Sequence, residues 1–161
     1  HTSNGRVELK NVEGTVNLHT SNGRITLADV KGEIEAHTSD SCIEAMNVKG
    51  AVDLRTSNGK VTIQESAGVF TAVTDNGSVQ FDGEFESGGV NRFKTANGSV
   101  KVRLRGEPSL KLEASTSNGS VQCSQPLVEQ GLSGKNHLIG TIGAGDASLT
   151  LQTSNGSISV D

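Results

Sequence analysis

The chain has 161 residues, a length that suits one domain, but only 32% of its residues are hydrophobic and only 2% are aromatic. This composition excludes a thick core filled with aromatic side chains. The formal net charge is -4, and the 14 lysines and arginines are scattered singly, which excludes nucleic acid as an expected partner. The 20 glycines predict many turns, and the Val, Leu, Ile and Ala residues suit narrow stacked strands.

A short motif recurs along the whole chain and sets its organisation. Each copy reads TSNG or a close variant, and the copies begin at Thr2, Thr20, Thr38, Thr56, Thr74, Thr95, Thr116 and Thr153. The intervals between them are 18, 18, 18, 18, 21, 21 and 37 residues. A fixed short period is typical of solenoids and other repeat arrays. The last interval is interpreted as two periods whose middle copy is lost.

The first period predicts two short strands separated by two turns. Residues 6–10 alternate polar and apolar side chains, and residues 15–20 do the same, which is the pattern of half-buried strands. Residues 11–14 end in glycine and predict one turn, with the valine at 12 folded inward. Residues 21–23 predict the second turn, because Asn-Gly adopts positive φ at little cost.

Stacking the periods aligns similar residues in columns. The inward columns are Val7, Ile25, Ile43, Val61, then Leu9, Leu27, Ala45, Ile63, then Val16, Ile34, Val52, then Leu18, Ala36, Leu54, and at the corner Val12, Val30, Val48. One coil cannot bury its own apolar face, whereas a stack shares a continuous core. The sequence therefore predicts an all-β fold, a single-domain β-solenoid of the β-helix or β-roll type with two parallel strands per coil. We expect about eight or nine coils in chain order, and a β-propeller-like repeat is the alternative.

The domain is predicted to span residues 1–161, with regular 18-residue coils over 1–77 and looser coils over 78–161. The four phenylalanines, Phe70, Phe81, Phe85 and Phe93, lie in or beside the first loosening and are expected to fill a wider coil. Gly140–Gly145 is interpreted as too rich in glycine for a central strand. Residues 124–146 therefore predict a looped-out coil or a C-terminal cap, followed by a closing pair of strands. The chain opens within a copy of the motif, so we expect it to be a fragment of a longer protein.

Three stretches resemble a known class of repeat domain. They read NRFKTANGSVKVRL over residues 91–104, PSLKLEASTSNGSV over 108–121 and LIGTIGAGDASLTLQTSNGSI over 138–158. These stretches are similar to bacterial adhesin-like repeat domains of unknown function, which are built on recurring SNG motifs. The resemblance implies an all-β, secreted or envelope-associated domain that is tethered upstream and has no assigned catalytic residues. Ser41, in place of the motif glycine, and Cys42, in place of Arg or Lys, depart from the pattern.

The repeated motif is itself predicted to be structural. Its threonines and asparagines keep the inward phase of the second strand and should stack as polar ladders at one corner, where they satisfy each other from coil to coil. The predicted ladder residues are Thr2, Asn4, Thr20, Asn22, Thr56, Asn58, Thr74 and Asn76.

A second set of columns faces outward on the second strand. Stacking places His1, His19, His37 and Arg55 in one column, and Asn17, Glu35 and Asp53 in the next. Neighbours in a column should lie about 5 Å apart. His19, His37, Glu35 and Asp53 are therefore candidate ligands for a transition metal such as zinc. The alternative interpretation is a solvated surface ladder of alternating charge.

Catalytic and cofactor signatures are missing from the sequence. No GxSxG elbow, HExxH or phosphate loop occurs, the turns lack the GGxGxD of calcium β-rolls, and Cys42 and Cys123 form no CxxC pair. We therefore expect no enzyme activity and no cofactor. The alternative of a polysaccharide-active β-helix enzyme would depend on the carboxylates of Glu35 and Asp53.

The predicted function is a non-catalytic adhesin-like or scaffold domain of the cell envelope, or an extracellular one, that displays repeated surface columns. A self-assembling structural solenoid is the alternative, because the first coil has no visible cap. The expected partner is an unknown surface ligand or a second copy of the chain, and not nucleic acid. We expect membrane association only through a tether outside this segment.

Overall fold

The computed structural model describes residues 2–161, which form thirteen β-strands and no helix. The strands are β1 (Val7–Thr20), β2 (Ile25–Thr38), β3 (Ile43–Thr56), β4 (Val61–Thr74), β5 (Val79–Phe85), β6 (Val90–Asn97), β7 (Val100–Leu104), β8 (Leu110–Asn118), β9 (Val121–Cys123), β10 (Glu129–Gly134), β11 (His137–Ile142), β12 (Ala147–Asn155) and β13 (Ile158–Val160). No helix in this part of the chain is long and apolar enough to cross a membrane.

The first four strands confirm the predicted β-solenoid. Strands β1 to β4 pair side by side in parallel, and each residue lies opposite the residue 18 positions later, so that Val7 faces Ile25, Ile43 and Val61 in turn. In β2 to β4 the apolar side chains predicted to point inward are buried, and Ile25, Leu27, Val30 and Ala36 have 0% exposure, whereas their equivalents in β1 are partly buried. The hydrophobic period alone therefore defined both the coil length and the buried face.

Each of these four strands bends through a corner near its middle and remains one continuous strand. Asn11, Asp29, Asn47 and Glu65 begin the corners with φ between 50° and 55°, and a glycine with φ above 110° follows three residues later in each coil. Asparagine and aspartate tolerate this left-handed conformation better than most residues do. The residue that follows this first corner residue points inward, a valine in the first three coils and the buried Ser66 in the fourth, so the predicted 11–14 turn is a corner in one 14-residue strand.

The corner divides the solenoid into two walls. The first wall contains the residues before the corner, 7–10 in β1 and their equivalents, and continues through β5, β7, β13 and β9. The second wall contains residues 15–20 and their equivalents, and continues through β6, β12, β8, β11 and β10. Strand β4 joins the two walls, since its Val61–Gly68 part pairs with β5 and its Thr71–Thr74 part pairs with β6.

Beyond the fifth turn, the order of strands in space departs from their order in the chain. In the second wall β12 lies between β6 and β8, and in the first wall β13 lies between β7 and β9. The expectation of eight or nine coils in chain order is therefore wrong: five turns follow the sequence, and the last copy of the motif is inserted before the copy at Thr116.

An antiparallel hairpin completes the C-terminal end of the stack. Strand β11 pairs antiparallel with β8 on one side and with β10 on the other. The interpretation of Gly140–Gly145 as unsuited to a central strand is wrong for Gly140 to Ile142, which lie within β11. The hairpin lies in the segment for which a looped-out coil or a cap was predicted, the strands that follow it do not close the stack, and the 37-residue interval contains the hairpin instead of a missing coil.

The aromatic residues fill the core where the coils widen. Phe70 and Phe93 are 0% exposed and Phe81 is 1% exposed, while Phe85 is partly buried against them. The rings of Phe81 and Phe85 stack with their centroids 4.5 Å apart. Packing of this kind adds stability beyond the buried area, and it places the four phenylalanines beside the first irregular corner.

Candidate functional site

The threonines of the repeated motif tie successive coils together. The Oγ1 atoms of Thr56 and Thr74 each donate to the carbonyl oxygen of the motif's fourth residue one coil earlier, at 2.9 Å. The same bond recurs at Thr95, Thr116 and Thr153, and all three are buried. Within its own coil, Thr20 Oγ1 also accepts from the Gly23 N–H at 3.2 Å. The threonine hydroxyls therefore satisfy backbone groups, in the neighbouring coil at most copies and in the same coil at Thr20.

The motif asparagines form a second ladder, on the outside of the solenoid. Asn76 Nδ2 donates to Asn58 Oδ1 at 2.8 Å, and Asn97 donates to Asn76 at the same distance. The ladder continues through Asn155 to Asn118, which follows the inserted order of the strands. These asparagines are exposed, so the expectation that they point inward is wrong. The ladder requires only that the side-chain amides of successive coils contact one another, so its members can lie on the surface.

Asp40 takes an asparagine position in this ladder and fixes its direction. Asn58 Nδ2 donates to Asp40 Oδ1 at 2.7 Å. In the amide orientation that satisfies both neighbours, Asn22 donates to Asp40 Oδ2 at 3.1 Å from the other side. A carboxylate only accepts hydrogen bonds, so the two halves of the ladder both point toward Asp40. The departure from the motif in the third coil is thus accommodated without a break in the ladder.

The motif glycine suits the short distance between stacked coils. A Cβ atom placed on Gly77 would lie 2.0 Å from the Gly59 carbonyl oxygen, and one on Gly156 would lie 2.1 Å from that of Gly98, so a side chain at either position would force the backbone to shift. The third coil has Ser41 at the equivalent position and still makes the join to Thr56. The motif therefore joins successive coils, and most of its polar groups form hydrogen bonds within the protein.

A shallow groove of about 460 Å³ follows the outward columns of the second wall. We define this histidine groove by His19, His37 and Arg55, beside the exposed hydroxyls of Ser21, Ser39 and Ser57. The imidazole centroids of His19 and His37 are 5.0 Å apart, and His1 lies outside the described residues. Sequence analysis predicted the histidine column but missed the serine column. The recurrence of serine at the second position of the motif is the signal that could have revealed it.

The carboxylates beside this groove already have partners. Arg55 binds Asp53 with two hydrogen bonds of 2.8 and 2.7 Å. This hydrogen bonding raises the pKa of Arg55 above its usual value. Glu35 accepts from Asn17 at 2.9 Å, and its Oε1 lies 3.3 Å from His37 Nε2. The four candidate ligands are thus neighbours, with Asp53 engaged by Arg55.

Within residues 2–161, no group of three or more His, Cys, Asp and Glu side chains is arranged to hold a metal ion. Zinc binding by His19, His37, Glu35 and Asp53 stays a prediction. The hydrogen bonds from Asn17 to Glu35 and from Arg55 to Asp53 correspond to the alternative interpretation, a surface ladder of polar and charged groups.

A second concave site lies where the regular corners are lost. This corner cleft, of about 290 Å³, has Phe85, Leu104 and Leu110 among its apolar lining residues and carries the carboxylates Glu84, Glu107 and Asp146. Ser109 Oγ donates to Asp146 Oδ2 at 2.7 Å, which ties two of the lining loops together. Sequence analysis did not find Glu107 and Asp146, because only the inserted strand order places the loops that carry them together.

Ion pairs hold the cleft's Arg105 on its outer side. Arg105 donates to Asp82, and its Nη2 lies 3.9 Å from Glu65 Oε1. The hydrogen bond from Arg105 holds the pKa of Asp82 below its usual value, and the same bond raises the pKa of Arg105. The guanidinium therefore links the loop after β7 to β4 and β5, and it is committed to carboxylates on the protein.

The C-terminal hairpin forms a further open groove of about 670 Å³ across β11, β8 and β12. Ile139, which is 37% exposed, lines this groove together with Lys111 and Glu113. The two cysteines lie away from these sites and are free. Burial raises the pKa of the Cys123 thiol, which keeps it protonated at neutral pH.

Comparison with known proteins gives one result beyond the geometry. A search of curated proteins and a search of solved structures each found no match to the chain. The family described as Toastrack DUF4097, a repeat-type domain of unknown function, matches the chain over residues 1–161. The match covers the regular coils, the inserted strands and the hairpin alike, so the chain belongs to the Toastrack DUF4097 family.

Proposed function

We propose that this chain is a non-catalytic, adhesin-like or scaffold domain of the bacterial cell envelope, whose solenoid displays repeated polar columns to an extracellular ligand. The observation that supports this proposal best is the histidine groove, in which like side chains repeat once per coil. His19 and His37 present imidazoles about 5 Å apart, and the serine hydroxyls beside them are exposed. A membrane connection would be supplied by a tether outside this segment.

An extended polymer is the ligand class that this groove suits. Each contact to an exposed hydroxyl or imidazole is weak, but identical contacts at every coil act together once the first is made. The strands of the wall are about 4.8 Å apart, which is close to the length of one sugar unit in an extended polysaccharide. We therefore expect affinity to rise with polymer length.

Immobilised polysaccharides provide the direct test. An uncharged glucan, a uronic-acid polymer and a phosphate-containing wall polymer, each as short and long chains, would be compared on a biosensor. We expect at least one long polymer to bind, and the triple variant Ser21→Ala, Ser39→Ala, Ser57→Ala to bind it at least tenfold more weakly. Gln64→Ala on the exposed first wall is the control and should leave binding unchanged.

Two results would overturn this proposal. One is the absence of binding to all three polymers, and the other is equal binding by the triple variant and the wild type. The same polymers would be sized after prolonged incubation with the protein. Shortened chains would favour a polysaccharide-active enzyme, and substitution of Glu84, Glu107 and Asp146 in the corner cleft would then identify its site.

A further inference from the structure

Three loops meet at the corner cleft and are tied to one another. They follow β5, follow β7 and precede β12: residues 86–89, 105–109 and 143–146. The Gly88 N–H donates to the Asp146 carbonyl oxygen at 3.0 Å, and the Ala147 N–H donates to the Ser109 carbonyl oxygen at 3.1 Å. The Asp146 N–H also donates to the Ser109 hydroxyl at 3.2 Å. These bonds hold the loops in one arrangement, so the cleft is formed without a ligand.

One part of the cleft lining is apolar. Leu110 is 1% exposed, and Phe85 and Leu104 are partly buried against the hydrophobic core. The Phe85 ring stacks on Phe81 with 4.5 Å between the centroids and 9° between the ring planes. Neighbouring core side chains therefore fix this part of the lining in place. It offers a preformed apolar surface, and a ligand that covers it gains free energy because apolar atoms are removed from water.

Three carboxylates line the same cleft. A Cβ atom placed on Gly106 would lie 3.0 Å from Glu84 Oε1, so the Glu84 carboxylate lies against that loop. Asp146 accepts a hydrogen bond from the Ser109 hydroxyl on its Oδ2 atom. Among residues 2–161, the Glu107 carboxylate has neither a hydrogen bond nor an ion pair. Because carboxylates only accept hydrogen bonds, the cleft presents acceptors for which the described chain supplies few donors.

The protein does not neutralise the charge of the cleft. Arg105 is the cation among the described lining residues, and it donates to Asp82 and lies 3.9 Å from Glu65, two carboxylates outside the lining. The cleft is left with an excess of negative charge, and concave sites with apolar walls focus such a field. Within the described part of the chain, these carboxylates are not grouped in a way that could hold a metal ion. An organic cation is therefore the ligand class that fits.

We propose that the corner cleft binds a small primary amine with an apolar body, such as an arylalkylamine. Its ammonium group donates hydrogen bonds to the carboxylates of Glu107 and Asp146, and its apolar part covers Phe85 and Leu104. The cleft volume of about 290 Å³ equals that of about ten liquid water molecules, which suits an amine of about ten non-hydrogen atoms. The cleft shares no lining residue with the histidine groove, so this inference does not depend on the proposed display function.

The charge and the apolar surface together disfavour other simple ligands. The carboxylates repel an anion. A neutral apolar molecule would remove the carboxylates from water without supplying a charged donor, which costs free energy. A small cation without an apolar body would leave the apolar surface uncovered. An amine that carries both groups gains from both parts of the lining.

Two-dimensional NMR of the isotope-labelled, full 161-residue chain tests the proposal. The probe is phenethylamine, titrated at low and at high salt. We expect saturable shifts of backbone amides within residues 84–87, 104–110 and 146, with a dissociation constant in the millimolar range that rises with salt. Methylamine, which lacks the apolar body, and phenethyl alcohol, which lacks the charge, should each bind at least about fivefold more weakly. Phenylpropionate, which carries the opposite charge, should cause no saturable shift.

Two isosteric substitutions remove charge and keep the shape of the cleft. Glu107→Gln should weaken phenethylamine binding about threefold, and the double variant with Asp146→Asn about tenfold, because each exposed charge contributes modestly. The amide oxygen that Asp146→Asn introduces can still accept from Ser109, so the loops stay tied. Glu86→Gln makes the same charge change in an adjacent loop, outside the lining, and should alter binding less than about twofold. Thermal unfolding checks that each variant is folded.

The proposal is overturned if phenethylamine gives no saturable shift or if its shifts map away from the cleft. Methylamine or phenethyl alcohol binding as tightly as phenethylamine would also overturn it, since the site would then not recognise both groups. The same holds for a folded double variant that binds like the wild type, and for Glu86→Gln weakening binding as much as the double variant does. If the double variant does not fold, the series of ligands decides alone.

Discussion

Asn91 is a buried polar residue that holds the inserted strand in place. It lies at the start of β6 with 0% exposure. Its Oδ1 accepts from the Phe70 N–H at 2.8 Å, and its Nδ2 donates to the Ser148 carbonyl at 3.2 Å. One side chain therefore joins β4 to β12, on either side of β6. We predict that Asn91→Ala destabilises the protein more than the loss of any exposed ladder asparagine.

The size of the effect follows from the two groups that lose their partner. Phe70 is 0% exposed, so its N–H would be left without an acceptor and away from water, at a cost of about 1–3 kcal/mol. The Ser148 residue is half-buried, so its carbonyl should lose about 1 kcal/mol. Together these terms give about 2–4 kcal/mol, which for a chain of this length lowers the melting temperature by about 5–15 °C.

Urea unfolding followed by circular dichroism measures this difference, provided that the slope of free energy against denaturant is unchanged. The matched control is Asn76→Ala, which removes a donor and an acceptor from the exposed ladder. Because water replaces those bonds, we expect a loss below about 1 kcal/mol. If Asn91→Ala costs no more than Asn76→Ala, the assignment of Asn91 as the link between β4 and β12 is refuted.

Three further predictions concern the corners and the joins between coils. Arg105→Gln removes the hydrogen bond that lowers the pKa of Asp82. The stability that this bond gives the wild type should be present above pH 3.8 and lost as the pH falls through the lowered pKa of Asp82, so a difference between variant and wild type that persists in strong acid would contradict this explanation. Glu65→Asn should raise the free energy of unfolding by about 0.5–1 kcal/mol, because asparagine tolerates the φ of 53° at that corner, and an unchanged urea midpoint would count against strain there. Gly77→Ala should lower the melting temperature sharply, because its Cβ would lie 2.0 Å from a backbone oxygen in the coil before. Gly5→Ala, whose Cβ would meet only the Thr2 side chain, at 3.0 Å, is the matched control, and equal losses from the two variants would contradict the stacking explanation.

The regular part of this fold could be predicted from the sequence because each coil repeats the same local instructions. Val30 and Val48 are 0% exposed at the corner, as their column predicted, and the register of 18 residues follows from the interval between motifs. The sequence could not show that the corner is part of a continuous strand. Asn11 and the glycine three residues later are residue types typical of turns, and here their positive φ angles bend a strand without ending it.

The candidate sites were predicted only where they lie on the regular coils. The histidine groove follows from counting 18 residues from His19 to His37 and on to Arg55. The corner cleft does not, because Glu107 and Asp146 approach each other only through the loops around the inserted strand. A repeat period predicts spatial neighbours by counting residues. This rule fails where a later strand is inserted between two earlier ones, as β12 is between β6 and β8.

The inserted order was hidden by the same interchangeability that makes the solenoid regular. The Thr153 hydroxyl donates to the Gly98 carbonyl at 2.8 Å, and Thr116 donates to Gly156 with the same geometry, so the ladder bonds alone do not decide which motif copy stacks next. The order must depend on residues that are not repeated. Asn91 is one, since its bond to Ser148 requires β12 beside β6. The hairpin is another, because β11 pairs antiparallel with β8 and covers the edge where a further coil would stack. The repeats therefore define how any two coils join, and the irregular residues between them define which two coils meet.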